Sequence, residues 1–142
     1  MPNFTLIVPK TDLSPYKKHR FVSVNGVKTP TMKSFLEAIS KQLDFPEDFE
    51  HNLDALDEML NDLSWIPQRD VTLHIEHFDA FLSQEKKDTR LLELLNLLDA
   101  TAEDWKWLDD DDDTPPKNLH VLIETCPRAV QLFDNEEIGY NQ

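Results

Sequence analysis

Residues 45–63 read FPEDFEHNLDALDEMLNDL, and the way this stretch sorts its side chains decides the fold around it. Phe45-Pro46 breaks any helix arriving from upstream, and Asn52 is placed to cap a new one running to about Leu63. On a helical wheel of about 100° per residue, Leu53, Leu56, Met59, Leu60 and Leu63 gather on one side. Asp54, Asp57, Glu58, Asn61 and Asp62 occupy the other. One face is built for a core, the opposite face for water or for a charged partner.

Upstream, Thr29-Pro30 reads as a helix start with Thr as cap and Pro at the first helical position. Met32, Phe35, Leu36, Ile39 and Leu43 then form a single apolar stripe at helical spacing. Phe21 to Val24 predicts a strand. The Asn25-Gly26 after it signals a tight turn, either a hairpin back along Val27 and Lys28 or an exit towards the helix. Phe4 to Val8 predicts a short strand closed by Pro9, and residues 10–20 a loop.

Downstream, residues 70–77 alternate like a strand, with Val71, Leu73 and Ile75 on one face. Asp88 is placed to cap a helix whose six Leu (91, 92, 94, 95, 97 and 98) spread around most of the wheel, as when more than one side is covered. Thr101 to Asp104 reads as a capping-box-like restart carrying Trp105 and Trp107. Residues 109–116 read as a solvated loop, Leu119 to Ile123 as a strand and Pro127 to Phe133 as a last short helix. Helices in each connection favour parallel strands, so the expected class is a small α/β sandwich.

Composition narrows the function. At 142 residues and 16.6 kDa one compact domain is expected. Against 28 Asp and Glu stand 14 Lys and Arg, a net charge of −14 that repels phosphate backbones and anionic lipid. The excess is uneven: residues 1–41 carry seven basic and two acidic side chains, so residues 42–142 carry seven basic and 26 acidic ones. Between Asp44 and Asp62 there are eight acids and no Lys or Arg. Two Gly in the whole chain, against an average of about 7%, leave no phosphate-cradling loop. A solitary Cys126 and the lack of an apolar run behind a basic start lead to the expectation of a soluble, cytoplasmic protein.

Few residues suggest catalysis. His74 and Glu76 share one strand face while His77 points the other way, so His-Ile-Glu-His does not make the helical pair of a zinc protease. A metal site needs His120 or His51 to arrive in space. Cys126 lies next to Pro127 after an apolar strand and reads as a structural residue. The Asp109–Asp113 run lacks the spaced ligands and central Gly of a calcium loop. The acidic helix face is the stronger feature. Like charges at Asp54/Glu58 and Glu58/Asp62 each cost the helix roughly 0.2–0.5 kcal/mol. It is either a solvated face or a docking surface that selects a basic partner by sign.

The run from Phe45 to Leu60, with Pro46-Glu47, an aromatic residue and then Asn52-Leu53-Asp54-Ala55-Leu56, resembles the barstar family of ribonuclease inhibitors. Val24-Asn25-Gly26 extends the match, as do the strands at 71–76 and 119–123. The resemblance implies a short, mainly parallel three-stranded sheet packed by helices, in a three-layer-like sandwich. It implies a domain over residues 21–126, an N-terminal extension over 1–20 with a short strand, and a C-terminal tail over 127–142.

The resemblance further implies inhibition rather than catalysis, with no cofactor and no metal. An immunity protein of this kind plugs the active site of a basic, toxic ribonuclease, is a monomer when free and forms a 1:1 complex. Asp54 matches a contact aspartate, and Asn52, Leu53 and Ala55 match the helix start that lies on the nuclease. Glu58 stands where the best-known member has an aspartate imitating substrate phosphate. Asp48, Glu50 and Asp57 replace an aromatic residue, a Gly and a Trp. With Asp62 these residues form the expected partner-binding set, and Asp99 is a candidate for a later acidic contact. An acidic adaptor with a non-nuclease partner is the alternative. A metal hydrolase using His74, Glu76 and His120 is a third.

Overall fold

The computed structural model describes residues 2–107 and 116–142. Five strands, β1 (Phe4–Ile7), β2 (Arg20–Asn25), β3 (Asp70–Glu76), β4 (Asn118–Glu124) and β5 (Tyr140–Asn141), form one sheet in the order β2-β3-β4-β1-β5. Every pairing is parallel. Four helices lie in the connections: α1 (Met32–Gln42) and α2 (Leu53–Asp62) between β2 and β3, α3 (Thr89–Lys106) before β4, and α4 (Pro127–Asn135) before β5. A parallel strand must return by a crossover, and helices supply it.

The central strand shows how the layers close. In β3, Val71, Leu73 and Ile75 on one face and Thr72 and His74 on the other are all buried. Both faces of the sheet are therefore covered, as parallel sheets require. The continuous core joins Val22 and Val24 of β2 to the α1 stripe Met32, Phe35, Leu36 and Ile39, and to Leu56 and Leu60 of α2.

The expected three strands become five. The additional two, β1 and β5, come from the segments read as extension and tail. Phe4 is fully buried and meets Phe133 of α4 edge-on at 5.2 Å, and Phe133 in turn meets Tyr140 of β5 at 5.7 Å. β1 is the strand expected over Phe4 to Val8 and alternates buried and half-buried residues, whereas the two-residue β5 joins the sheet beside the packed rings.

Three local readings also change. The α1 cap is Thr31 rather than Thr29: Thr31 exchanges hydrogen bonds with Ser34 in a capping box, whereas Thr29 is buried with its hydroxyl donating to the Asn25 carbonyl at 2.9 Å. Of the two alternatives at Asn25-Gly26, the exit towards the helix is the one present: the chain enters a 3₁₀ turn over Gly26–Lys28, with the Asn25 side chain accepting from the Val27 N–H. The expected restart at Thr101 is absent and α3 is one helix of 18 residues. Thr101, Ala102 and Trp105 continue the buried stripe of Leu91, Leu94 and Leu98, so nothing interrupts the period. Asp88 precedes α3 without a capping bond from its side chain, which pairs with Arg128 at 3.2 Å instead. The Asp109–Asp113 run lies outside the described residues.

A candidate inhibitory face on the second helix

The segment before α2 is held by aromatic contacts. Phe49 is buried and packs against Phe45 at 4.9 Å. Phe45 meets Trp65 edge-on at 6.2 Å, and the Trp65 indole donates to the Leu43 carbonyl at 2.7 Å. The Phe49 N–H donates to the Pro46 carbonyl at 3.0 Å. These contacts fix residues 45–49 while leaving Glu47, Asp48 and Glu50 exposed.

The helix itself begins as the sequence predicts. Asn52 Oδ1 accepts from the Ala55 N–H at 2.7 Å, satisfying one of the donors orphaned at a helix start. Asp54 in the first turn is favoured by the helix dipole, whereas Asp62 in the last turn is not. The chain leaves through Leu63 in the left-handed region, at φ 51° and ψ 23°.

The acidic face is not a stable arrangement in its own right. Its two repulsive pairs cost about 0.4–1 kcal/mol together. Full burial of Leu56, Leu60 and Leu63 outweighs this, at about 1.5–3 kcal/mol for each side chain. The Trp105 indole of α3 reinforces it by donating to the Leu60 carbonyl at 3.0 Å.

Asp48, Glu50, Asn52, Asp54, Ala55 and Glu58 converge around a shallow depression of about 400 Å³. Leu53, Asp57 and Asp62 lie outside it. Leu53 packs against the core, Asp57 accepts from the Asn61 amide at 2.9 Å, and Asp62 accepts from the Ser64 N–H at 3.3 Å. Of the eight acids between Asp44 and Asp62, only Asp44 has an ion pair among the described residues, to Arg20 at 2.8 Å. The other seven are exposed. The face can therefore offer a cation a set of carboxylates not already engaged by the protein's own bases.

The chain matches the family model described as Barstar (barnase inhibitor) over residues 19–129. It belongs to the barstar family. No curated protein matches it. Among solved structures, the Aeropyrum pernix ORC2 protein (ADP form) is similar at a TM-score of 0.60 and 14% identity, over 100% of this chain and 42% of that one. That likeness is of fold alone, and this barstar-family chain spans 42% of the length of the Aeropyrum pernix protein.

Other candidate residues fall elsewhere in the barstar-family fold. Asp99 on α3 accepts from the Asn3 amide at 2.7 Å, so it ties α3 to the start of the chain. His51 is exposed beside the Phe49 ring, at 4.9 Å. Cys126 directly precedes α4 as a half-buried free thiol.

The triad His74, Glu76 and His120 is not assembled. His74 stands opposite Leu122 in the register, whereas His120 stands opposite Thr72 and reaches Asp70 at the amino end of β3. His120 gathers instead with Asp70 and His19, a grouping that sequence spacing does not reveal. The 50-residue separation of Asp70 and His120 is closed by strand register alone. Among the described residues no helix is long and apolar enough to cross a membrane.

Proposed function

We propose that this barstar-family protein is an intracellular immunity protein that blocks a basic, toxic ribonuclease. The observation that carries the reading is the run of seven exposed acids from Glu47 to Asp62, none ion-paired among the described residues, on a packed loop and a capped helix. A ribonuclease cleft is cationic because it holds phosphates, and rigid carboxylates at helical spacing can occupy the phosphate positions. Asp54 and Glu58, one turn apart, supply the central contacts. Asp48 and Glu50 extend them from the loop, and Asp57 and Asp62 widen the negative field. Asn52 holds the helix start against the nuclease, with Leu53 and Ala55 beside it.

The mode of action is occlusion of the cleft, with no reaction catalysed and no cofactor required. Co-expression with a candidate nuclease toxin tests the reading, scored by survival and RNA integrity. Protection that is lost in the Asp54→Lys/Glu58→Lys variant supports it. Binding to a partner without any effect on RNA cleavage makes the protein an adaptor instead.

A further inference from the structure

From the amino end of the sheet, we infer that His19, Asp70 and His120 form a binding site for a divalent transition metal, with zinc the representative ion. One potential donor atom from each residue lies within 4.8 Å of the others. The Asp70 Oδ1 and His120 Nε2 atoms are 3.2 Å apart. Two donors each about 2.0–2.1 Å from one tetrahedral zinc stand about 3.3 Å apart, so this edge already has the required length. His19 lies on the connection between β1 and β2 and supplies the third donor of this group.

Further observations fit a metal better than a simple ion pair. The His19 Nδ1 sits 2.7 Å from the hydroxyl of Thr72, a fully buried residue. If Nδ1 donates there, Nε2 is left with its lone pair free, which is the outer-shell arrangement of metal-bound imidazoles. Asp70 also accepts from the Asn118 amide at 3.0 Å, which orients the carboxylate. The rings of His19 and His120 lie 5.1 Å apart with Tyr16 edge-on to both. All three residues are half-buried. His120 borders a depression of about 250 Å³, and His19 and Asp70 border another of about 450 Å³, so an ion has a route in.

Two imidazoles and one carboxylate are a donor set for zinc and its neighbours rather than for calcium or magnesium. Three protein donors leave a fourth position for water or for a group from another molecule. The ion would fasten the segment carrying Tyr16 and His19 to the first residues of β3 and β4. The site stands independently of the inhibitor reading, and either can fail alone.

The test is calorimetric titration of zinc into chelator-treated full-length protein, with cobalt(II) as a spectroscopic probe. One equivalent of zinc is expected to bind and to raise the melting temperature. Cobalt is expected to give the intense visible bands of tetrahedral coordination. His120→Ala and Asp70→Asn should weaken binding about tenfold or more, and Thr72→Val, which removes only the outer-shell hydroxyl, by about 10–100-fold. Equal affinity in wild type and His120→Ala overturns the site, as does binding abolished by replacing His51 or His77 instead. If the site variants do not fold, cobalt spectra of the His51→Ala/His77→Ala protein decide. Tetrahedral bands sustain the assignment, and their absence overturns it.

Discussion

The indole of Trp105 in α3 donates to the carbonyl of Leu60 in the last turn of α2 at 3.0 Å, and both residues are buried. This bond satisfies a helix-end carbonyl that no residue within α2 can reach. It also fixes the acidic face to the longest helix of the fold. A charged surface that must match a cleft loses affinity if it has to be ordered on binding, so the anchor serves the proposed function as well as stability.

Trp105→Phe keeps most of the buried area but orphans the Leu60 carbonyl. A loss of about 1–2 kcal/mol is expected, read as a lower urea midpoint at unchanged slope. An unchanged midpoint would show that the bond contributes nothing.

Gly26→Ala should be far more damaging than its exposed neighbours suggest. A Cβ at Gly26 would collide with the carbonyl oxygen of His77 and stand 2.8 Å from that of Glu76, both main-chain atoms at the end of β3. Neither can move aside as a side chain would, so a cost of about 3 kcal/mol or more is expected in the same assay. The turn needs Gly for close approach and not for a left-handed backbone, since Gly26 has no positive φ. A variant as stable as wild type would contradict that account.

His74 introduces a pH dependence. Its burial pushes the imidazole below the usual 6.5, against the opposing pull of Glu76 and Glu124. Glu76 is 3.7 Å away, too far for a hydrogen bond, and the buried Nδ1 has no partner. The unfolded chain therefore takes up this proton more readily than the native one. Stability should be full above pH 6.5 and fall as the pH drops towards the native pKa. In His74→Phe, where the ring can still lie against Phe21, this component should vanish. Identical pH profiles for the two proteins would count against it.

Much of this organisation can be read from residue spacing. The apolar stripes of α1 and α2, the Asn52 cap and the acidic face follow from side chains three and four apart, where helical geometry is a local property. Strand membership at the sheet edges is not local. The strand at Phe4 to Val8 is legible and stands as β1, but its place beside β4 is not, and the two-residue β5 is too short to alternate; Phe4, Phe133 and Tyr140 pack together where these strands join the sheet. Thr29-Pro30 and Thr101 to Asp104 carry capping signals that tertiary contacts override. The meeting of His19, Asp70 and His120 depends on β3–β4 register and on the route of the connection before β2, neither of which spacing encodes.

The central claim is that Asp54 and Glu58 stand in for RNA phosphates in a cationic nuclease cleft. The most direct measurement is the affinity of wild type and of Asp54→Lys/Glu58→Lys for the nuclease across a salt series, with melting curves recorded in parallel. Wild-type binding should weaken steeply with salt. The variant should lose about a hundredfold or more in affinity, some 2.7 kcal/mol, while melting as a folded protein. A folded variant that binds the nuclease as tightly as wild type would contradict the account.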